Sequence, residues 1–165
     1  MTAGQKRTPA ESQARRLEIV AEEMTKLFRM PEVDWLLRHA QGVNDWSVMQ
    51  TMGHMVEMIP YWMNHVNAMV GAGGSHYRIG RANDAPERLA GIERGAMGDP
   101  DETLRRLTEE VRSAAGAIRR MTAEERGRTA VYVKGGKITV ADAIERFIVG
   151  HAEEHLAQVQ AALRH

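Results

Sequence analysis

The sequence predicts an all-α protein, a four-helix bundle with a long connection between its second and third helices. Three observations carry this expectation. Helix-start signals recur at four places, each ahead of a long stretch whose apolar side chains repeat every three or four residues. The segments between these stretches hold most of the glycine and proline punctuation. The one β-like run, Ala130-Val131-Tyr132-Val133 before Gly135-Gly136, is too short to build a sheet domain. A length of 165 residues suits a single domain spanning residues 1–165.

The first helix opens at Thr8-Pro9-Ala10-Glu11, which offers an N-cap, a proline at the first helical position and a glutamate two residues later; it runs near 9–29. Residues 30–46 contain Pro31 and Gly42, with Trp35, Leu36 and Leu37 between them, enough for a short helical turn. The second helix, near 47–70, opens at the capping box Ser47-Val48-Met49-Gln50. Val48, Met52, Met55, Ile59, Met63 and Val66 form one apolar stripe, and Met58, Trp62 and Met69 form another beside it. A helix apolar over most of its circumference is buried on several sides or meets another subunit, so a homodimer is expected. Gly53 offers a place for close approach by a neighbouring helix, and Pro60 is expected to kink the helix.

Residues 71–98 begin rich in glycine (Gly71, Gly73, Gly74, Gly80), and Asp84-Ala85-Pro86-Glu87 opens a short helix to about Gly95. Those glycines suggest a lid. Asp99-Pro100-Asp101-Glu102 opens the third helix, near 100–121, with a stripe of Leu104, Leu107, Val111, Ala114, Ala115 and Ile118. Arg105, Arg106, Arg112, Arg119 and Arg120 alternate there with Glu109 and Glu110 and read as a solvated face rather than a dock for an anion. Thr122 to Glu125 is another capping box, followed by a small hairpin. Thr139-Val140-Ala141-Asp142 opens the fourth helix, near 139–163, with Ile144, Phe147, Ile148, His151, His155 and Val159 on one face.

Composition removes several functions. Lys+Arg and Asp+Glu are both 22, so no net basic charge exists to neutralise a nucleic-acid backbone. No apolar run approaches the roughly 20 residues that cross a bilayer. Cysteine is absent, which excludes a disulfide framework, a thiolate metal site and a catalytic cysteine. The polar stretch from Met1 to Glu11 lacks the apolar core of a secretory signal. A cytoplasmic protein binding neither nucleic acid nor membrane is expected.

The histidines carry the chemistry. His151 and His155 lie four residues apart, so their Cβ atoms sit about 5–6 Å apart on one helix face. That spacing lets two imidazoles share one metal; it also suits two core histidines hydrogen-bonded to backbone or carboxylates. A third ligand must come from another helix. His54 is the candidate, but on an ideal helix it falls away from the Val48/Met52/Ile59 stripe, so periodicity leaves its role open. His65 lies about 16 Å further along the axis and cannot share the ion. His39, His76 and His165 receive no role.

The blocks Trp46-Ser47-Val48-Met49-Gln50-Thr51-Met52-Gly53-His54-Met55-Val56-Glu57, Ile138-Thr139-Val140-Ala141-Asp142 and His151-Ala152-Glu153-Glu154-His155-Leu156-Ala157-Gln158 resemble the DinB-like superfamily of metal-binding four-helix bundles. Their order and separation match as well as their residues. The resemblance implies that His54, His151 and His155 are the ligands of a divalent metal, with zinc first and nickel, iron or manganese also compatible with imidazole. Three imidazoles with an open position match a catalytic rather than a closed zinc site. The resemblance further implies an enzyme acting on a small-molecule thiol and an electrophilic substrate, of the thiol S-transferase type, or a hydrolase or isomerase of thiol conjugates. The competing expectation is a non-catalytic metal-binding or dimerising module. Glu57 and Glu154 stand one turn after His54 and His151 and could orient an imidazole, although Glu154 reads as solvated. Tyr61 and Trp62 serve as core or pocket lining. Met49, Met52, Met55, Met58, Met63 and Met69 read as adaptable packing rather than a soft-metal site.

Overall fold

Side-chain caps fix where the long helices begin. In the computed structural model, which describes residues 6–31, 33–39, 46–72 and 77–164, these helices are α1 (Pro9–Phe28), α3 (Val48–Ala72), α5 (Pro100–Arg120) and a last rod built in three parts. That rod is α7 (Val140–Ile144), a π-helical turn (Glu145–Val149) and α8 (Gly150–Ala162). Thr8 accepts from the Glu11 N–H at 3.2 Å, Asp99 from that of Glu102 at 2.9 Å, and Thr139 from that of Asp142 at 3.1 Å. Ser47 and Gln50 form the reciprocal box, at 3.1 and 2.8 Å. Each such bond satisfies a donor that the first turn leaves unpaired. Ser47→Ala is therefore expected to lower the unfolding free energy by about 1 kcal/mol in urea titration.

The short elements are α2 (Val33–His39), α4 (Pro86–Met97) and α6 (Ala123–Gly127). At the start of α4 the N-cap position is Ala85, with no side-chain bond, so Asp84 does not cap it, and the helix runs two residues past Gly95. α6 carries the expected capping box between Thr122 and Glu125.

α1 packs against α5 and α8, and α3 packs against α5 and the last rod, so α1 and α3 lie across a diagonal. The buried apolar side chains form one contiguous cluster. All six methionines named above are in it; Met49, Met52, Met55, Met58 and Met69 are fully buried. α3 is helical throughout, including across Pro60. Its broad apolar surface is covered within the chain by α4, α5 and the last rod.

α4 lies on α3 through backbone, not side chains. A Cβ on Gly53 would stand 2.3 Å from the Gly91 carbonyl oxygen and 2.6 Å from Gly95 Cα. The close approach anticipated at Gly53 is thus made by α4, using a glycine pair one turn apart.

The hairpin is β2 (Thr129–Tyr132) and β3 (Gly136–Thr139), antiparallel, with Ala130 opposite Ile138. A two-residue strand, β1 (Arg78–Ile79), adds in parallel with Arg78 beside Val131, a pairing too short to show in the sequence. Gly80 follows with φ +134°, where a Cβ would stand 2.3 Å from a Val133 methyl. Only glycine fits there, and the turn it permits carries the chain back toward α3.

The surface arginines of α5 match the solvated-face reading. Arg105 pairs with Glu102 and Glu109, and Arg119 bridges to Glu11 and Glu18 of α1. Exposed pairs of this kind add little each.

Candidate metal centre

His54 projects from α3, and His151 and His155 from successive turns of α8. One ring nitrogen from each residue lies within 4.8 Å of the other two. Ring centroids are 5.4 Å apart for His54–His151, 4.9 Å for His54–His155 and 4.6 Å for His151–His155. The π turn precedes this pair: the Gly150 N–H donates to the Glu145 carbonyl, five residues back. The wider turn changes the phase between Ile144 and His151, and it buries three consecutive residues, Phe147, Ile148 and Val149, together. Periodicity over 139–163 captured the stripe but not this shift.

Burial leaves the cluster chemically unsatisfied. His54 is 1% exposed and His155 is 6% exposed. Neither ring nitrogen of His54 has a hydrogen-bond partner, nor does Nε2 of His155. A buried polar group without a partner costs about 1–3 kcal/mol. Nδ1 of His155 lies 2.8 Å from Oε1 of Gln158. A neutral imidazole donates Nδ1–H to that amide oxygen and keeps a lone pair on Nε2. Burial, reinforced by His155 and His151, pushes the His54 pKa down to about 2. Burial and then His155 bring His151 to about 4. Burial also lowers His155, against the opposing pull of Gln158. All three rings are neutral at pH 7, the form that ligates metals. The orphaned nitrogens and this donor set fit a divalent cation such as zinc.

Trp46 covers one side, edge-on to His54 at 5.5 Å and stacked on His155 at 6.4 Å. On another side a cavity of about 140 Å³ reaches His54 and His151. Trp62 and Phe147, stacked at 4.5 Å, line it with Tyr132. Arg81, Arg88 and Lys134 complete its wall. Larger hollows of about 240 and 260 Å³ lie between α3, α4 and α5 and between α1 and α5, and none of the three histidines lines them.

Several expected roles change. Glu57 does not orient an imidazole: it holds Arg81 in a two-pronged ion pair at 2.5 and 2.7 Å, both side chains under 10% exposed. Arg81 also lies 3.9 Å over the Tyr61 ring, so Tyr61 supports the wall rather than lining the cavity, whereas Trp62 lines it. Glu154 is exposed, as expected. His65 shares a 2.9 Å hydrogen bond with the Tyr77 hydroxyl, outside the cluster. His39 is exposed and bonded to the Trp35 carbonyl. His76 and His165 lie outside the described residues, as do Gly73 and Gly74 of the suggested lid. The part of that segment from Arg81 to Asn83, with Arg88, lines the cavity.

The sequence reading gives Gln158, Arg81, Arg88 and Lys134 no role of their own. Gln158 alone carried a usable signal, standing three residues after His155 and hence on the same face.

A family model described as the DinB superfamily matches residues 16–159. In fold the chain is similar to YfiT from Bacillus subtilis, described as a probable metal-dependent hydrolase with an unusual four-helix bundle topology. The TM-score is 0.73 at 18% identity, over 99% of this chain and 90% of that one. At that identity the likeness is one of fold. Among curated proteins, none matches the sequence. Among the described residues no helix is long and apolar enough to cross a membrane.

Proposed function

The chain belongs to the DinB superfamily, and from that premise we propose that it is a divalent-metal-dependent enzyme whose ion is held by His54, His151 and His155. The observation that carries this reading is His54, buried to 1% exposure with both ring nitrogens unpartnered. A neutral histidine kept there at a cost in stability has a function to serve. When bound, a divalent metal at three imidazoles lowers the pKa of a thiol or water at its open position.

The protein's own groups do the rest. Gln158 fixes the tautomer and orientation of His155. Trp46 shields His54 and His155 from solvent. Trp62 and Phe147 give the cavity an apolar floor on which a substrate can be held against the centre. With no cysteine in the chain, a nucleophilic thiol must arrive with the substrates. Transfer of a small thiol to an electrophile is our leading assignment, and zinc our leading metal. Hydrolysis is the second reading, favoured by the fold likeness to YfiT and its description as a metal-dependent hydrolase.

Metal content by mass spectrometry tests the centre. Near-stoichiometric metal is expected in wild type and none in His54→Ala, His151→Ala or His155→Ala. Wild type that neither carries nor takes up zinc or nickel overturns the reading. Gln158→Leu is expected to keep the site but weaken zinc binding by about 10–100-fold in competition with a chromophoric chelator. Thioether formation that requires added thiol supports transfer; turnover without thiol supports hydrolysis.

A further inference from the structure

The cavity beside the three histidines is charged with one sign. Arg81, Arg88 and Lys134 line it, and among the described residues no carboxylate does. Arg81 is already neutralised by Glu57. Arg88 is not: among the described residues it has no ion-pair partner. Its Nη1 donates to the Asn83 carbonyl at 2.6 Å, and its guanidinium lies 5.3 Å from the Trp46 ring. Those contacts hold the side chain in place and leave its Nε and Nη2 edge without a partner among the described residues. Desolvation, then the nearby Arg81, depress its pKa, with Glu57 opposing them. Lys134 stands at the exposed tip of the β2–β3 hairpin, likewise without an acidic partner among the described residues. The facing wall is apolar, made by Trp62 and Phe147.

We propose that this cavity binds the carboxylate end of a small organic acid, with Arg88 and Lys134 taking the charge and Trp62 and Phe147 the apolar part. A guanidinium edge matches a carboxylate with two parallel N–H···O bonds, and the apolar Trp62 and Phe147 favour an organic acid over an inorganic anion. The volume of about 140 Å³ is well below the roughly 300–1,000 Å³ of sites for drug-sized molecules, so the part enclosed is a few heavy atoms. The cavity reaches His54 and His151, so the remainder of the acid faces the proposed centre. This names a substrate class for the proposed enzyme and rests on that reading for the chemistry that follows binding, though not for binding itself.

The test titrates full-length protein, both zinc-loaded and chelator-stripped, with butyrate, butyramide and inorganic phosphate. Tryptophan fluorescence and calorimetry read the binding, since Trp62 lines the cavity and Arg88 lies over the Trp46 ring. Butyrate is expected to bind saturably in both metal states and at least tenfold more tightly than butyramide. Arg88→Gln is expected to weaken it about tenfold, the loss of one charge-assisted pair. Lys134→Glu, on an exposed tip where folding is not at stake, is expected to weaken it too, with an unchanged melting temperature. Butyrate binding no better than butyramide, or equally to wild type and both variants, overturns the proposal. So does tighter binding of phosphate, or binding that needs zinc and ignores Arg88. Butyrate binding by a protein that takes up no metal would instead sink the enzyme reading alone.

Discussion

Gly53→Ala is expected to destabilise the protein by about 2 kcal/mol, while Gly71→Ala, on the same helix, is expected to stabilise it by about 0.5–1 kcal/mol. Helix propensity favours alanine by about 1 kcal/mol at either position. The difference is steric. At Gly53 the added carbon would meet the Gly91 carbonyl at 2.3 Å and Gly95 at 2.6 Å, and both are backbone. No rotamer change relieves that clash, so α4 must move off α3. Gly71 is exposed, and a Cβ there meets nothing within 4 Å. Gly95→Ala should behave like Gly53→Ala, because its Cβ would stand 2.2 Å from the Met49 carbonyl. Urea titrations with unchanged slopes measure all three. A Gly53→Ala protein as stable as wild type would mean that the two helices are not in backbone contact. The displacement also matters for the site, since α4 carries Arg88 and His54 is the residue next to Gly53. Weaker ligand binding should therefore accompany the lost stability.

What could be read from the sequence was what lies close along the chain. The caps at Thr8, Ser47, Asp99 and Thr139 are four-residue signals, and each forms the bond its pattern implies. The His151–His155 pair is likewise local, one turn of one helix. His54 was ambiguous for a physical reason: α3 is buried on nearly every side, so no single stripe marks the face that meets α8. The resemblance to known bundles supplied what periodicity did not. The cationic wall was illegible because tertiary structure assembles it from separate pieces. Arg81 enters through a glycine turn after a two-residue strand, Arg88 through a helix held by glycines, and Lys134 through a hairpin tip. The charges that the sequence made conspicuous, on α5, proved to be surface pairs. Glu57 looked like a partner for His54 because it follows one turn later, yet its buried carboxylate is taken by Arg81, a residue 24 positions away.

In its metal-free form the protein is expected to lose about 3 kcal/mol of stability between about pH 7.5 and pH 5.5 through His54 and His151 alone. The folded pKa values, about 2 and about 4, lie below the 6.5 of an unfolded histidine. Well above 6.5, from about pH 7.5 upward, neither state binds protons at these rings to any extent and pH has little effect through them. Below 6.5 the unfolded chain takes up protons that the folded chain refuses, so stability falls by about 1.4 kcal/mol per pH unit for each ring. The loss continues to about pH 4 for His151 and to about pH 2 for His54. Carboxylates paired on the surface, such as Glu11 and Glu18 with Arg119, contribute equally to wild type and to a His54→Leu variant and cancel in the comparison. The variant should lose at least about 1.4 kcal/mol less than wild type over the same interval. Zinc at about 100 times its dissociation constant should add about 2.7 kcal/mol to wild type at neutral pH and nothing to the variant. Parallel pH profiles for the two proteins would show that His54 is charged or partnered when folded. The reason for placing a metal beside it would then be gone. A shallower variant profile together with a zinc-dependent rise confined to wild type would show that the unpaired nitrogens cost stability until the metal occupies them.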